Sequence, residues 1–538
     1  MICNGLTRGI QNKAVLIFRK VSVMRDKMIE KRGSVLFASA IIVVVVWIMM
    51  SALTPAGSAT SPDSLSYLDI AINFQQGKGF TASDYSLAGR ETGNTIEQRL
   101  WPKLYPALLS SVITSFTDVV AVAMLSKILL AITALLLYAI LLGVMPSLMA
   151  LLLTMLFLTL IPIITVYSYV WSETLFIPLW LGMGFLGSKY LALKNAMCGE
   201  KIVLLILLML VAIALFYTRY IGIIAFLLIP YVVIRKYESK DIALLIIVSL
   251  IYLASIAFVL IENYQITSHF GGGGRAASQK GVWHNVHDLL MLFKVLINVP
   301  VAYFAAIIPI SLFVVFYGIK NIENKPNNFI SQNLEIFLLM IAMYCFALVV
   351  LRSTTQFDDI DLRLLSPIFP MVWIVLCLLI FRLKACRYLG RVSSIAALAL
   401  ILALSLTGYK QILSSMNSWQ SIGSPEYPLR ENASYNNFTK SDIHNPIRAL
   451  VRELLGEEGI LISKNAQIFR YVFASPTYTL PRELTTEAIN KLNQLPNGSL
   501  ILLEKKDANI VQRLDRDYQF KYLDLGYVFA IALPLNKK

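Results

Sequence analysis

The chain has 538 residues, of which 57% are hydrophobic and only 15% charged, and its formal charge is +15. A soluble domain carries nearer ~25% charged residues, so the apolar excess excludes a soluble globular protein and places much of the chain in a membrane. The basic residues fall in loops between apolar runs, not along a polar face, which argues against a nucleic-acid partner.

The segment 1–34 is polar and basic, and is expected to be cytoplasmic. It fits an interfacial amphipathic piece, or an overlong start with Met24 or Met28 as alternatives. Val35–Leu53 is the first run long enough to span a bilayer at ~1.5 Å per residue. It is read as an uncleaved helix in preference to a signal peptide, being long for the apolar region of one. Residues 54–118 form a long polar loop with short amphipathic pieces such as Leu65–Phe74.

Apolar runs then follow at Val119–Gly143, Leu148–Val166, Thr174–Leu191, Ile202–Tyr217, Ile221–Ile234 and Ile242–Ile261. Four more lie at Val301–Tyr317, Ile336–Leu351, Leu364–Phe381 and Ser393–Thr407. The expected fold is a polytopic α-helical membrane protein with about eleven spans, its membrane part covering 35–408. Lys189, Lys194, Lys201, Arg235, Lys236, Lys240, Lys320, Lys325, Arg382, Lys384, Arg387 and Arg391 then all fall in inner loops. The positive-inside rule therefore puts the N-terminus in the cytoplasm, and an odd number of spans puts the C-terminus outside. None of the five cysteines falls in an outward loop or beyond residue 408, so no disulfide framework or thiolate metal site is expected there. Residues 409–538 alternate helical patterns (Pro446–Leu455, Thr486–Leu495) with strand-like runs (Gly459–Ser463, Ser499–Glu504, Tyr527–Leu533). That pattern predicts a small extracytoplasmic α/β domain.

Ionisable residues beside membrane spans are costly and therefore point to function. On this topology they collect at the outer face: Asp63 after the first span, Glu173 in a tight turn, Arg219 where two runs meet, Arg275 after Gly271–Gly274, and Arg363 at the head of a span. Arginine forks match phosphate oxygens, a carboxylate can take a hydroxyl proton, and glycines let backbone N–H groups approach a phosphate. Each residue also has a plainer reading. Asp63 and Glu173 could cap helices, the arginines could snorkel to headgroups, and the glycines could form a flexible loop. His284 and His287 are spaced for a metal but lack an evident third ligand. Asp358, Asp359 and Asp361 read as a solvated acidic loop, and Asn432, Asn437 and Asn497 sit in glycosylation sequons.

The runs Asp63-Ser-Leu-Ser-Tyr67, Gly77-Lys-Gly79-Phe80, Trp101-Pro-Lys-Leu-Tyr105-Pro106, Ser172-Glu173, Thr218-Arg219-Tyr220 and Arg363-Leu-Leu-Ser-Pro367 carry a resemblance. Together with the span pattern and the C-terminal domain, they resemble the GT-C superfamily of polyprenyl-phosphate-sugar glycosyltransferases. The similarity is to the branch with lipid A aminoarabinose transferases and bacterial protein O-mannosyltransferases. The resemblance implies sugar transfer from a polyprenyl-phosphate carrier to a lipid, glycan or protein acceptor, outside a bacterial inner membrane. It assigns Asp63 to acceptor activation, with Glu173 assisting. It assigns Tyr67, Lys103, Arg219, Arg275 and Arg363 to substrate binding, the basic residues holding the carrier phosphate. Ser64 stands where many relatives have a second acid, so no metal and no other cofactor is expected. The rival readings are a transporter or flippase, which would place polar residues at the membrane midplane, and a non-catalytic envelope-assembly protein.

Overall fold

The computed structural model describes residues 33–297, 328–383 and 451–537, apart from short internal stretches that include 87–94, 274–276, 357–359 and 465–476. The predicted runs Val301–Tyr317 and Ser393–Thr407 lie outside the described residues, as do Arg275, Asp358, Asp359, the sequon asparagines, most of the N-terminal segment and most of Pro446–Leu455.

The first span is α1 (Gly33–Leu53). The long loop that follows is folded. It contains α2 (Pro62–Gln75), a hairpin of β1 (Thr81–Ser83) and β2 (Thr95–Glu97), and α3 (Leu104–Ser110). Asp69, buried on α2, accepts from both the N–H and the hydroxyl of Ser83 at 2.7 Å and pins the hairpin to the helix.

The next helices are α4 (Val119–Leu142), α5 (Ser147–Phe157), α6 (Ile161–Ser168), α7 (Glu173–Ala192) and α8 (Cys198–Thr218). A 3₁₀ turn (Tyr220–Leu227) leads to α9 (Leu228–Lys236) and α10 (Ser239–Thr267). Then come α11 (Val282–Ile297), α12 (Asn328–Thr354), α13 (Leu362–Leu365) and, past a 3₁₀ turn at Ser366–Ile368, α14 (Phe369–Leu383).

Among the described residues, six helices are long and apolar enough to cross a membrane, or seven if the bent pair α5–α6 makes one span. The chain is an integral membrane protein. Three predicted spans differ from continuous helices, and one of them, Leu364–Phe381, runs from α13 through the 3₁₀ turn at Ser366–Ile368 into α14. Leu148–Val166 is broken between α5 and α6 by a 65° bend, where Leu160 turns extended and Pro162 opens the new helix. Ile221–Ile234 begins as the 3₁₀ turn, because Arg219 leaves helical geometry.

The helix α7 sits at the centre of the helical body. Gly184 lets α12 approach so closely that a Cβ there would stand 2.5 Å from Phe337 Cε1, the small-residue contact typical of helices packing in lipid. Phe176 and Trp180 on the same helix meet Tyr344 of α12. The Trp373 indole of α14 donates to the Leu153 carbonyl of α5 at 3.1 Å.

The C-terminal part forms a five-stranded mixed sheet, ordered β4 (Thr477–Thr479), β3 (Leu461–Ser463), β5 (Leu500–Glu504), β8 (Val528–Ala532) and β7 (Tyr522–Asp524), and a two-stranded pair of β6 (Tyr518–Gln519) with β9 (Asn536–Lys537). The β4–β3–β5 pairs are parallel, and the β5–β8–β7 pairs are antiparallel. Helix α15 (Thr486–Asn493) precedes β5, and α16 (Ala508–Asp517) follows it. Side chains alternate along β5: Ile501 and Leu503 pack with these helices, while Leu500 and Leu502 join the core continuous with the membrane helices. A bond from Thr479 N to the Tyr85 carbonyl, 2.6 Å, ties β4 to the loop that follows α1.

Candidate active site

Two chain segments run side by side just outside the first span. Ala59 N–H donates to the Ser168 carbonyl at 2.8 Å, and Val170 N–H donates to the Ala59 carbonyl at 3.0 Å. The Trp171 indole then donates to Ser61 Oγ at 2.8 Å. Ser61 is the N-cap of α2, in a reciprocal capping box with Ser64. The cap role is thus taken, and Asp63 is free to face the neighbouring segment from the first turn. Glu173, two residues after Trp171, opens α7 and is fully buried.

Arg363 joins the two acids. Its Nη2 lies 2.8 Å from Asp63 Oδ2, and its Nε donates to Glu173 Oε1 at 2.9 Å. The guanidinium stacks on Trp171, 4.4 Å from the ring centroid. Asp361 places it by capping α13 through the Leu364 N–H at 2.8 Å. Arg219, in extended geometry between α8 and the 3₁₀ turn, forms a second ion pair with Glu173 Oε1. Two acids and two arginines thus compensate one another, and the cluster has no net charge. Both arginines are partnered by carboxylates. Asp63 retains an exposed edge, with 26% of its side chain accessible, while Glu173 has none.

Tyr67, one helical turn beyond Asp63, hydrogen-bonds Ser172 Oγ at 3.1 Å, and its ring packs between Trp101 and Tyr105. Burial first, then the nearby Glu173 carboxylate, holds its phenol well above the ordinary range, so it stays protonated.

Lys103 lies in an adjoining cluster. Its Nζ meets both oxygens of Glu262, near the end of α10, at 2.7 and 2.9 Å. Arg99 reaches Glu262 with Nη1 at 2.9 Å and Glu97 with Nη2 at 2.7 Å. Arg99 and Lys103 line a narrow cleft with Trp101, Tyr217, Tyr220 and Asn263. The Tyr220 hydroxyl donates to the Arg99 carbonyl at 2.8 Å, and Asn263 Nδ2 donates to Tyr220 Oη at 3.0 Å. The cleft adjoins the acid cluster through the Tyr67–Trp101 contact and the Arg219–Tyr220 bond.

The glycine run packs on this cleft. Gly272 has φ +79°, and a Cβ there would lie 1.7 Å from the Arg99 carbonyl oxygen. Gly272→Ala is therefore expected to cost about 2 kcal/mol or more and to loosen Arg99. The readout is thermal unfolding in detergent; an unchanged midpoint would show that the loop does not clamp Arg99. His284 of α11 lies 3.5 Å from Asp288 and belongs to neither cluster.

Asp63, Glu173, Tyr67, Arg219 and Arg363 thus stand together, and Lys103 stands beside them. Arg99, Glu262 and Trp171 were not picked out by the sequence. Glu262 directly follows the run Ile242–Ile261, and an acid at the end of a span was a usable signal. Glu173 is engaged by two arginines and Asp63 by one, which leaves no open cage of hard oxygen ligands. Among the described residues, no group of three His, Cys, Asp or Glu side chains could hold a metal ion.

No family model matches this sequence, and no curated protein matches it. Solved structures do. ArnT from Cupriavidus metallidurans bound to undecaprenyl phosphate superposes with TM-score 0.58 at 9% identity, covering 92% of this chain and 97% of that one. The apo form of the same protein gives 0.57 at 12% identity, covering 93% and 98%. The Archaeoglobus fulgidus oligosaccharyltransferase gives 0.46 at 11% identity, covering 92% and 74%. The chain has a GT-C-type membrane fold.

Proposed function

We propose that this protein is a glycosyltransferase that moves a sugar from a polyprenyl-phosphate carrier to a hydroxyl acceptor on a lipid, glycan or protein. The reaction takes place at the outer face of a bacterial inner membrane, with the N-terminus cytoplasmic and residues 409–538 outside. The observation that carries this reading is Asp63: a partly exposed carboxylate, oriented by an Arg363 fork that is itself anchored on fully buried Glu173. Structural likeness along nearly the whole of an enzyme whose crystals hold undecaprenyl phosphate supports it.

The acceptor hydroxyl approaches the exposed edge of Asp63, which takes its proton as the oxygen attacks the anomeric carbon. The bond from that carbon to the phosphate oxygen breaks, and the polyprenyl phosphate leaves with the electron pair. Arg363, Arg219 and Glu173 fix the position of Asp63, a role distinct from the phosphate binding that the resemblance implies for the two arginines. The phosphate rests in the adjoining cleft, where Lys103 and Arg99 face Tyr217, Tyr220 and Asn263. Tyr67 props α2 against α7 through Ser172. The C-terminal sheet, tied to the outer loop at Tyr85, closes the acceptor side.

Proteoliposomes loaded with carrier lipids from a deletion strain, and supplied with an envelope extract of that strain as the source of hydroxyl acceptor, test the reaction. Chemical release of polyprenyl phosphate is expected, and flux of the intact carrier without conversion would overturn the proposal in favour of a flippase. Lys103→Ala is expected to weaken undecaprenyl phosphate binding by about 10- to 100-fold, the effect of one lost charge-assisted contact. Titration of the purified variant checks this.

A further inference from the structure

The cleft contains its own counter-anion. The Glu262 carboxylate spans the Lys103 ammonium and one Arg99 nitrogen, all within 2.9 Å. Arg99 is 91% buried, yet among the described residues its Nε has no hydrogen-bond partner and its Nη1, though 2.9 Å from Glu262, is out of hydrogen-bond alignment. A buried guanidinium with two unaligned donors is poised for a better-shaped acceptor, and phosphate oxygens match such a fork. Glu262 is also partly exposed and sits near the end of α10, where its side chain can swing toward water.

We infer that Glu262 is a displaceable stand-in for the carrier phosphate: it holds Lys103 and Arg99 in place and competes with the phosphate for them. The inference rests on the reading of this cleft as the phosphate site. The carrier-linked sugar is a phosphodiester with one negative charge, whereas the departing polyprenyl phosphate is a monoester with close to two. A carboxylate competing for the same two cations disfavours the more highly charged product most, so Glu262 promotes product release as well as keeping the cations ordered.

The test is binding of undecaprenyl phosphate to the purified full-length protein and its variants in lipid nanodiscs. Glu262→Gln is expected to tighten binding about tenfold, the effect of ~1.4 kcal/mol. Glu262→Asp, which keeps the charge, is expected to stay near wild type, and Glu262→Gln combined with Lys103→Ala is expected to lose the gain. Under turnover, Glu262→Gln should show stronger inhibition by added undecaprenyl phosphate and a lower kcat. If Glu262→Gln binds no more tightly while Lys103→Ala binds more weakly, the cleft holds the phosphate but Glu262 does not compete for it. That result overturns the inference and leaves the functional reading intact. If neither variant changes binding, the phosphate lies elsewhere and both fail. Thermal unfolding of each variant, with and without the lipid, separates a folding defect from a binding one.

Discussion

Asp63→Asn is expected to lower turnover by about 10²–10⁴-fold, the usual weight of a positioned general base. The fold should survive, because the asparagine oxygen can still accept from Arg363 Nη2 and because Ser61 and Ser64, not residue 63, cap α2. Carrier binding should stay within a few-fold of wild type, since the cleft proposed to hold the phosphate is lined by Arg99 and Lys103. Loss of turnover with retained binding and an unchanged unfolding midpoint is the signature of a base. Loss of all three would mark Asp63 as a structural residue.

Arg363→Ala should act quite differently. It removes one of two cations from a fully buried carboxylate and breaks the ion pair that ties Asp63 to that carboxylate. Breaking a buried pair from one side costs about 3–5 kcal/mol, because the remaining charge is left poorly compensated. Arg219 still pairs with Glu173, which puts the expected loss at the lower end of that range. Arg363→Lys should recover part of the stability but little activity, since an ammonium cannot hold two carboxylates in a fork. Adding Glu173→Gln to Arg363→Ala should restore part of the lost stability while leaving the enzyme inactive. A double-mutant cycle on unfolding midpoints measures that coupling, and strict additivity would show that the two side chains do not act as a unit.

Hydropathy made most of the helical body legible. The runs Val35–Leu53, Val119–Gly143, Thr174–Leu191, Ile202–Tyr217, Ile242–Ile261 and Ile336–Leu351 all lie within observed helices or within a residue of them. So did the alternating strands: Gly459–Ser463, Ser499–Glu504 and Tyr527–Leu533 correspond to β3, β5 and β8, three adjacent strands of one sheet. The 65° bend between α5 and α6 was not seen, because mean apolarity is blind to direction. Pro162 was the one local sign of it.

The gathering of Asp63, Glu173, Arg219 and Arg363 followed from cost, since charged groups at one depth beside apolar spans must find partners. Their pairing could not be read the same way. A sequence shows that arginines and acids share a face, but not that Glu173 takes both arginines and leaves Lys103 and Arg99 to line the neighbouring cleft. Trp171 was quoted by neither charge nor motif. It earns its place through a ring face under Arg363 and an indole N–H on Ser61, contacts that exist only after the 58–61 and 168–171 segments align. Gly272 is similar: the glycine run reads as a loop, and only its approach to the Arg99 carbonyl gives it a role.

The most direct test is a lipid profile of the native host. The gene is deleted and then complemented with wild type or Asp63→Asn, with equal membrane levels of both proteins verified, and polyprenyl-phosphate-linked sugars are read by mass spectrometry. The predicted result is that the deletion and the Asp63→Asn strain accumulate the same carrier-linked sugar, which wild type clears. Clearance by Asp63→Asn at the wild-type level would contradict the mechanism at its centre.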